Sequence, residues 1–215
     1  MRKGRAITVR QGSVPGASSC GVGLICSIKG AESRSIVSMG IEALKNLTHR
    51  GAVGADGKTG DGAGILTQIP RGFFLQELGE RGIGISSSDN LAVGVFFFYG
   101  KVEETIEAIL AQRGVKLLSW REVPTSDDAL GESALSKKPV IRQALIDMGS
   151  IEPAARELTL YLARRKMELS LGEKVYVTSL SARTIIYKGM LVAQQLERFY
   201  PDLADESFIS SFCIF

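Results

Sequence analysis

Several things are scarce in this sequence, and each scarcity excludes a class of protein. Of its 215 residues only three are cysteine, one is histidine, one is tryptophan and six are proline. Cys20, Cys26 and Cys213 are too few, and odd in number, for a secreted scaffold stapled by disulfides, which points to a reducing compartment. With His49 as the single histidine and no Cys-x-x-Cys pair, the spacings of a metal site are missing. The longest strongly apolar run, Leu91 to Tyr99, is about half of what a membrane-crossing helix needs and reads as a buried strand. Nor is there a marked charge excess. The 26 basic and 23 acidic side chains leave a net +3, with no basic stripe interleaved with aromatics, so nucleic acid and membrane are not expected partners. Residues 1–19 carry Arg2, Lys3, Arg5 and Arg10 without an acid, yet lack the apolar stretch of a secretory signal.

What is present is the composition of a soluble globular protein, 45% apolar and 23% charged, on a length that needs no more than one domain. A glycine-relieved strand is expected to begin at Cys20. Val37, Ile41 and Leu44 share one face of a helix over 33–48, with His49 and Arg50 at its C-terminal end. The stretch 51–64 then holds six glycines in fourteen residues and runs straight into a strand over 65–69, so its backbone must approach something closely. A short helix around 73–78, the strand 91–99, a helix over 102–112 and a strand over 115–123 follow. The polar, proline-bounded stretch 124–139 reads as an exposed surface excursion. Pro153 opens a helix to Leu171 with Gly172 as its stop, two strands over 174–180 and 183–187 come next, and a last helical turn or two spans 191–199. Small groups of strands and helices without strict alternation favour a layered α+β sandwich over a doubly wound parallel sheet.

Candidate chemistry narrows by elimination. Gly57-Lys58-Thr59 imitates the end of a phosphate-binding loop, but the first glycine of that motif would fall on Ala52, and a helix precedes where a strand is required. No Gly-x-Ser-x-Gly elbow is present for a serine triad. Cysteine chemistry is left, for which Cys20 is the candidate, although by itself it reads as an inert, partly buried thiol; Cys26 and Cys213 are expected as core thiols. Asp56 and Asp61 are read as turn formers whose carboxylates bond to nearby backbone amides.

Three separated stretches sharpen this: Cys-Gly-Val-Gly-Leu-Ile at 20–25, Leu-Thr-His-Arg-Gly-Ala-Val-Gly-Ala-Asp at 47–56 and Thr-Gly-Asp-Gly-Ala-Gly-Ile-Leu at 59–66. Ile-Pro and Gly-Phe-Phe within 69–74, Val-Gly-Val-Phe-Phe at 93–97, Leu-Ser-Ala-Arg-Thr-Ile-Ile-Tyr-Lys-Gly-Met at 180–190 and Tyr-Pro-Asp-Leu at 200–203 follow in order. Together, over residues 20–215, they resemble the amino end of the glutamate synthase large chain. The resemblance implies a class II glutamine amidotransferase domain with the N-terminal-nucleophile αββα fold, here a partial one. It also implies a removable propeptide, residues 1–19, whose loss makes Cys20 the first residue and catalytic nucleophile. The α-amino group so freed, with an unperturbed pKa of about 7.7 to 8, would serve as the base, so that no catalytic histidine is needed.

By the same resemblance Arg50 and Gly51 belong to the neighbourhood of the substrate, glutamine. The family's Ser-Arg-Phe carboxylate clamp, its Asn-Gly oxyanion hole and the aspartate for the substrate amino group would fall beyond residue 215. So would the synthase domains with their FMN and iron–sulfur cluster, and this segment is expected to need no cofactor of its own. Losing a single oxyanion-hole donor lowers a rate on the order of a hundred- to a thousandfold, so weak or absent activity alone is expected. Three readings stay open: the leading part of a glutaminase domain, one chain of a split glutamate synthase, or a non-enzymatic fragment or interaction module. The expected partners are glutamine and the remaining synthase domains or subunits, and the expected compartment is the cytoplasm, with a plastid as the alternative.

Overall fold

The computed structural model describes residues 21–47, 56 and 58–215. In chain order the elements are β1 (Leu24–Cys26), α1 (Arg34–Asn46), β2 (Ala63–Gln68), α2 (Arg71–Glu80), β3 (Leu91–Phe98), α3 (Glu103–Ala111) and β4 (Lys116–Glu122). They continue with α4 (Glu132–Leu135), β5 (Val140–Asp147), α5 (Arg156–Leu171), β6 (Val175–Ser181), β7 (Thr184–Gly189), α6 (Leu196–Phe199) and β8 (Phe212–Ile214). The chain is of the expected α+β class, with two four-stranded sheets ordered β1-β8-β2-β7 and β4-β5-β3-β6. The pairings of β8 with β1 and β2, of β3 with β5 and β6, and of β4 with β5 are antiparallel. No helix among the described residues is long and apolar enough to cross a membrane.

Two compact units divide the chain. The first takes the residues up to Gln68 together with Pro124–Lys138 and Tyr187–Phe215. Its α1 turns the predicted face inward, burying Ile36, Val37, Ile41 and Leu44, because apolar side chains three and four residues apart stack on one side of a helix. That face meets the sheet at Gly40, where a Cβ would lie 2.3 Å from Cys213 Sγ on β8. A helix can approach a strand this closely only where it has no side chain.

The second unit, Ile69–Val123 with Pro139–Ile186, is built around the sheet β4-β5-β3-β6. Ile106, Ile109 and Leu110 of α3 and Leu160, Ala163 and Met167 of α5 pack with Ala92, Phe96, Ala144, Ile146 and Val177 from one face. The other face carries Arg121 and Gln143, since side chains alternate along a strand. There α2 closes over them: Arg121 lies 5.1 Å above the Phe73 ring, donates to Glu77 at 2.5 Å and reaches Gln143 Oε1 at 3.0 Å. A buried guanidinium is tolerated because its donors find both a carboxylate and an amide oxygen.

Several expectations need correction. The helix predicted over 33–48 ends at Asn46. The strand expected from Cys20 is limited to Leu24–Cys26, and Cys26 is exposed there instead of joining the core as Cys213 does. The stretch 124–139 is not a simple surface excursion: Ala129, Gly131 and Ala134 are buried, and the Ser126 amide bonds the Phe199 carbonyl at 3.0 Å. Strands β5 and β8 lie where the sequence announced no element.

Candidate functional site

The second half of the glycine-rich stretch is an ordered turn. Asp56 Oδ1 accepts from the amides of Lys58 at 3.0 Å and Thr59 at 2.7 Å, and Oδ2 accepts from the Thr59 hydroxyl. These bonds to the charged form, led by the Thr59 hydroxyl, hold the Asp56 carboxyl well below the usual carboxylate range. The expected role of Asp56 as a turn former is therefore what the geometry shows, and a carboxylate so engaged is no general base at neutral pH. Asp61 is exposed.

The turn is clasped from two directions. The start of α4 comes in close, with the Ser133 amide 3.5 Å from Asp56 Oδ2. A Cβ on Gly131 would stand 2.5 Å from that oxygen and 2.6 Å from Thr59 Oγ1. From the other side, a Cβ on Gly60 would meet the Leu191 carbonyl oxygen at 2.4 Å, and Gln195 Nε2 donates to the Lys58 carbonyl at 3.0 Å. Among its described residues, the close backbone approach expected of the glycine-dense stretch is thus directed at residues 131–133, at 187–188 and at 191–195. The first partner was not foreseen, and its only trace in the sequence is a glycine one residue ahead of the short α4.

The later motifs also converge. Tyr187 packs edge-on against Tyr200 and Phe208, with ring centroids at 5.0 Å and 5.6 Å. Its hydroxyl donates to Asp202 at 2.7 Å, while the Tyr200 hydroxyl donates to the Lys188 carbonyl at 2.9 Å. Burial, together with the nearby Asp202 charge, raises the Tyr200 phenol above its ordinary range. Tyr-Lys-Gly and Tyr-Pro-Asp-Leu are accordingly two halves of one buried cluster.

Cys20, Arg50 and Gly51, the site residues expected from the sequence, lie outside the described residues, as do His49 and the leader 1–19. Gly21, which follows Cys20, and Leu47, three residues ahead of Arg50, are described, and they approach closely: a Cβ on Gly21 would fall 2.9 Å from Cδ1 of Leu47. Of the two described thiols, Cys213 is wholly enclosed and burial pushes it up to about 12, which removes it as a nucleophile near neutral pH. Among the described residues no cluster of three or more histidines, cysteines or acids is arranged to hold a metal ion.

The family model of the class-II glutamine amidotransferases matches residues 20–215. The chain belongs to this family. It is 44% identical over 210 residues to the glutamate synthase [NADPH] large chain of Azospirillum brasilense. It is 38% identical over 207 residues to the protein of that name from Bacillus subtilis, and 36% identical over 208 residues to the ferredoxin-dependent glutamate synthase of Pyropia yezoensis. These matches cover 92%, 91% and 92% of this chain but 14% of each relative, so the chain spans about a seventh of their length. The family is one of enzymes, and its match takes in every motif that carried the resemblance.

Proposed function

We propose that this chain is the glutamine-hydrolysing segment of a glutamate synthase and that Cys20, freed by removal of residues 1–19, is its nucleophile. The observation that carries the reading is that the family match begins at residue 20 itself. Three relatives that are glutamate synthases by name support the parent enzyme, and the Gly21–Leu47 approach supports a site that joins Cys20 to the stretch containing Arg50 and Gly51.

On this reading the Cys20 thiol gives its proton to the α-amino group as its sulfur attacks the side-chain carbonyl carbon of glutamine, and that proton then passes to the departing nitrogen. The carbon–nitrogen bond breaks, ammonia leaves, and a glutamyl thioester remains for water to open into glutamate and free thiol. Nucleophile and base on one residue make a histidine unnecessary. Arg50 and Gly51 line the substrate side. Ammonia is consumed by other domains of the synthase, which hold the FMN and iron–sulfur groups and are this segment's partners along with glutamine.

Intact-mass analysis of protein recovered from its source cells tests the processing step. Loss of residues 1–19 is expected, and a mature protein that still carries Met1 in the presence of the other synthase domains overturns it. An amide-mimicking electrophile should label Cys20 ahead of Cys26 and Cys213, with glutamine protecting only the first. Equal labelling of all three thiols removes Cys20 from the mechanism.

A further inference from the structure

Helix α5 is apolar on two opposite sides. Leu160, Ala163 and Met167 are buried in the second unit's core. At about 100° per residue, Leu158, Tyr161, Leu162 and Leu169 gather within an arc of about 100° on the reverse side. That stripe faces solvent, with Leu158 61%, Tyr161 55% and Leu169 77% exposed. A surface helix normally carries one apolar stripe and a polar back, and a helix apolar on both sides is one that is covered on both.

Charge and size say what covers it. Arg165 lies within the stripe, with Arg164 and Lys166 beside it, and a single acid, Glu168, is bonded to two of these three cations, to Arg164 at 2.8 Å and to Arg165 at 2.5 Å. Tyr161, Arg164, Arg165 and Glu168 line an open depression of about 330 Å³. A second copy docked through the same stripe would set these cations against their own counterparts, because the midpoint of the stripe falls between Ala163 and Arg164. The sixteen residues of α5 make a strip about 24 Å long and about 10 Å wide. Its area, about 240 Å², is far below the roughly 800 Å² per partner of a stable dimer. It is the size of one helix.

We propose that the outward stripe of α5 is a docking surface for an amphipathic helix whose apolar face is rimmed by acidic residues. Leucines of that helix pack over Leu158, Leu162 and Leu169, the depression beside Tyr161 takes one of its side chains, and its carboxylates face Arg164, Arg165 and Lys166.

The test uses the full chain and two fluorescein-labelled peptides with the same leucine stripe, one rimmed by glutamates and the other by lysines. Saturable binding of the glutamate peptide, falling with added salt, is expected, with little binding of the lysine peptide. Leu162→Ser should weaken binding about tenfold, with an unchanged circular dichroism spectrum, and Arg165→Glu should shift the preference toward the lysine peptide. The proposal is overturned by no saturable binding, by equal binding of both peptides, or by indifference to Leu162→Ser. A dimer in light scattering that Leu162→Ser dissolves would overturn it too, by making the occupant a second copy. None of these readouts depends on Cys20 or on turnover of glutamine.

Discussion

The Tyr187 hydroxyl donates a 2.7 Å hydrogen bond to the Asp202 carboxylate, and both groups are buried. Strand β7 and the turn after α6 are joined by this bond to a charged acceptor inside an aromatic cluster. Tyr187→Phe keeps the ring contacts with Tyr200 and Phe208 and removes only the donor. A loss of about 1.5 to 3 kcal/mol in unfolding free energy is expected, the range for a hydrogen bond to a charged group. Urea denaturation of the two proteins measures it.

Gly40 is the point at which α1 rests on β8. Gly40→Ala places a methyl group within 2.3 Å of Cys213 Sγ and 2.7 Å of its Cβ, and neither atom can swing away from a fully buried position. Overpacking should destabilise the protein by about 1 to 3 kcal/mol. Adding Cys213→Ala removes the nearer contact but leaves the Cβ contact, so the double variant should recover part of the loss and not all of it.

The two described thiols should part company chemically. Cys26 is exposed and Cys213 enclosed, so a thiol reagent at neutral pH should modify Cys26 in the native protein and Cys213 only on unfolding. Burial raises the Cys213 thiol from its ordinary 9.0 to about 12, so between these values the unfolded chain loses a proton that the native protein keeps. Stability should therefore fall as pH rises from about 9 toward about 12. Comparison with Cys213→Ala isolates this contribution, because the variant lacks that limb while keeping the lysine and tyrosine titrations.

Asp56 lies in an exposed turn, and its effect should be local. Asp56→Ala leaves the amides of Lys58 and Thr59 and the Thr59 hydroxyl without their common acceptor and releases the contact to Ser133. Faster proteolysis within residues 56–60 is expected, with little change in the overall thermal transition. The carboxyl is held below its ordinary 3.8, so the same loosening should appear in the native protein only as pH falls below that value. Cleavage rates that match in variant and parent would show that the turn is held by its glycine contacts alone.

Elements whose side-chain period is complete within their own length could be read directly. Val37, Ile41 and Leu44 announced α1, and Val102, Ile106, Ile109 and Leu110 announced the helix that contains α3. Strand β5 could not be read this way. Its interior position Gln143 is polar, and it is buried with Arg121 from β4 bonded to it and Glu77 from α2 bonded in turn to Arg121. A residue that looks solvent-facing in the sequence is core in the fold. Strand β8 has three residues, too few to show a period, and exists through pairing with residues 24–26 and 66–67, far away in the chain.

The site divides in the same manner. Family membership was contained in the order and spacing of short motifs, and so was the nomination of Cys20, Arg50 and Gly51, since a motif is a local string. That Asp56 would latch onto Ser133, that Tyr187 would find Asp202, and that Gly21 would meet Leu47 are matters of tertiary structure.

The sequence by itself determined the class of fold, the helices and strands with complete periods, and the family. Only the tertiary structure decided which thiol is enclosed and which is open, which polar side chains enter the core, and that α5 turns a second apolar stripe outward. The physical reason is that periodicity is set by neighbours along the chain, whereas burial is set by whatever folding brings alongside. Cys26 and Cys213 are alike as residues and differ only in what covers them.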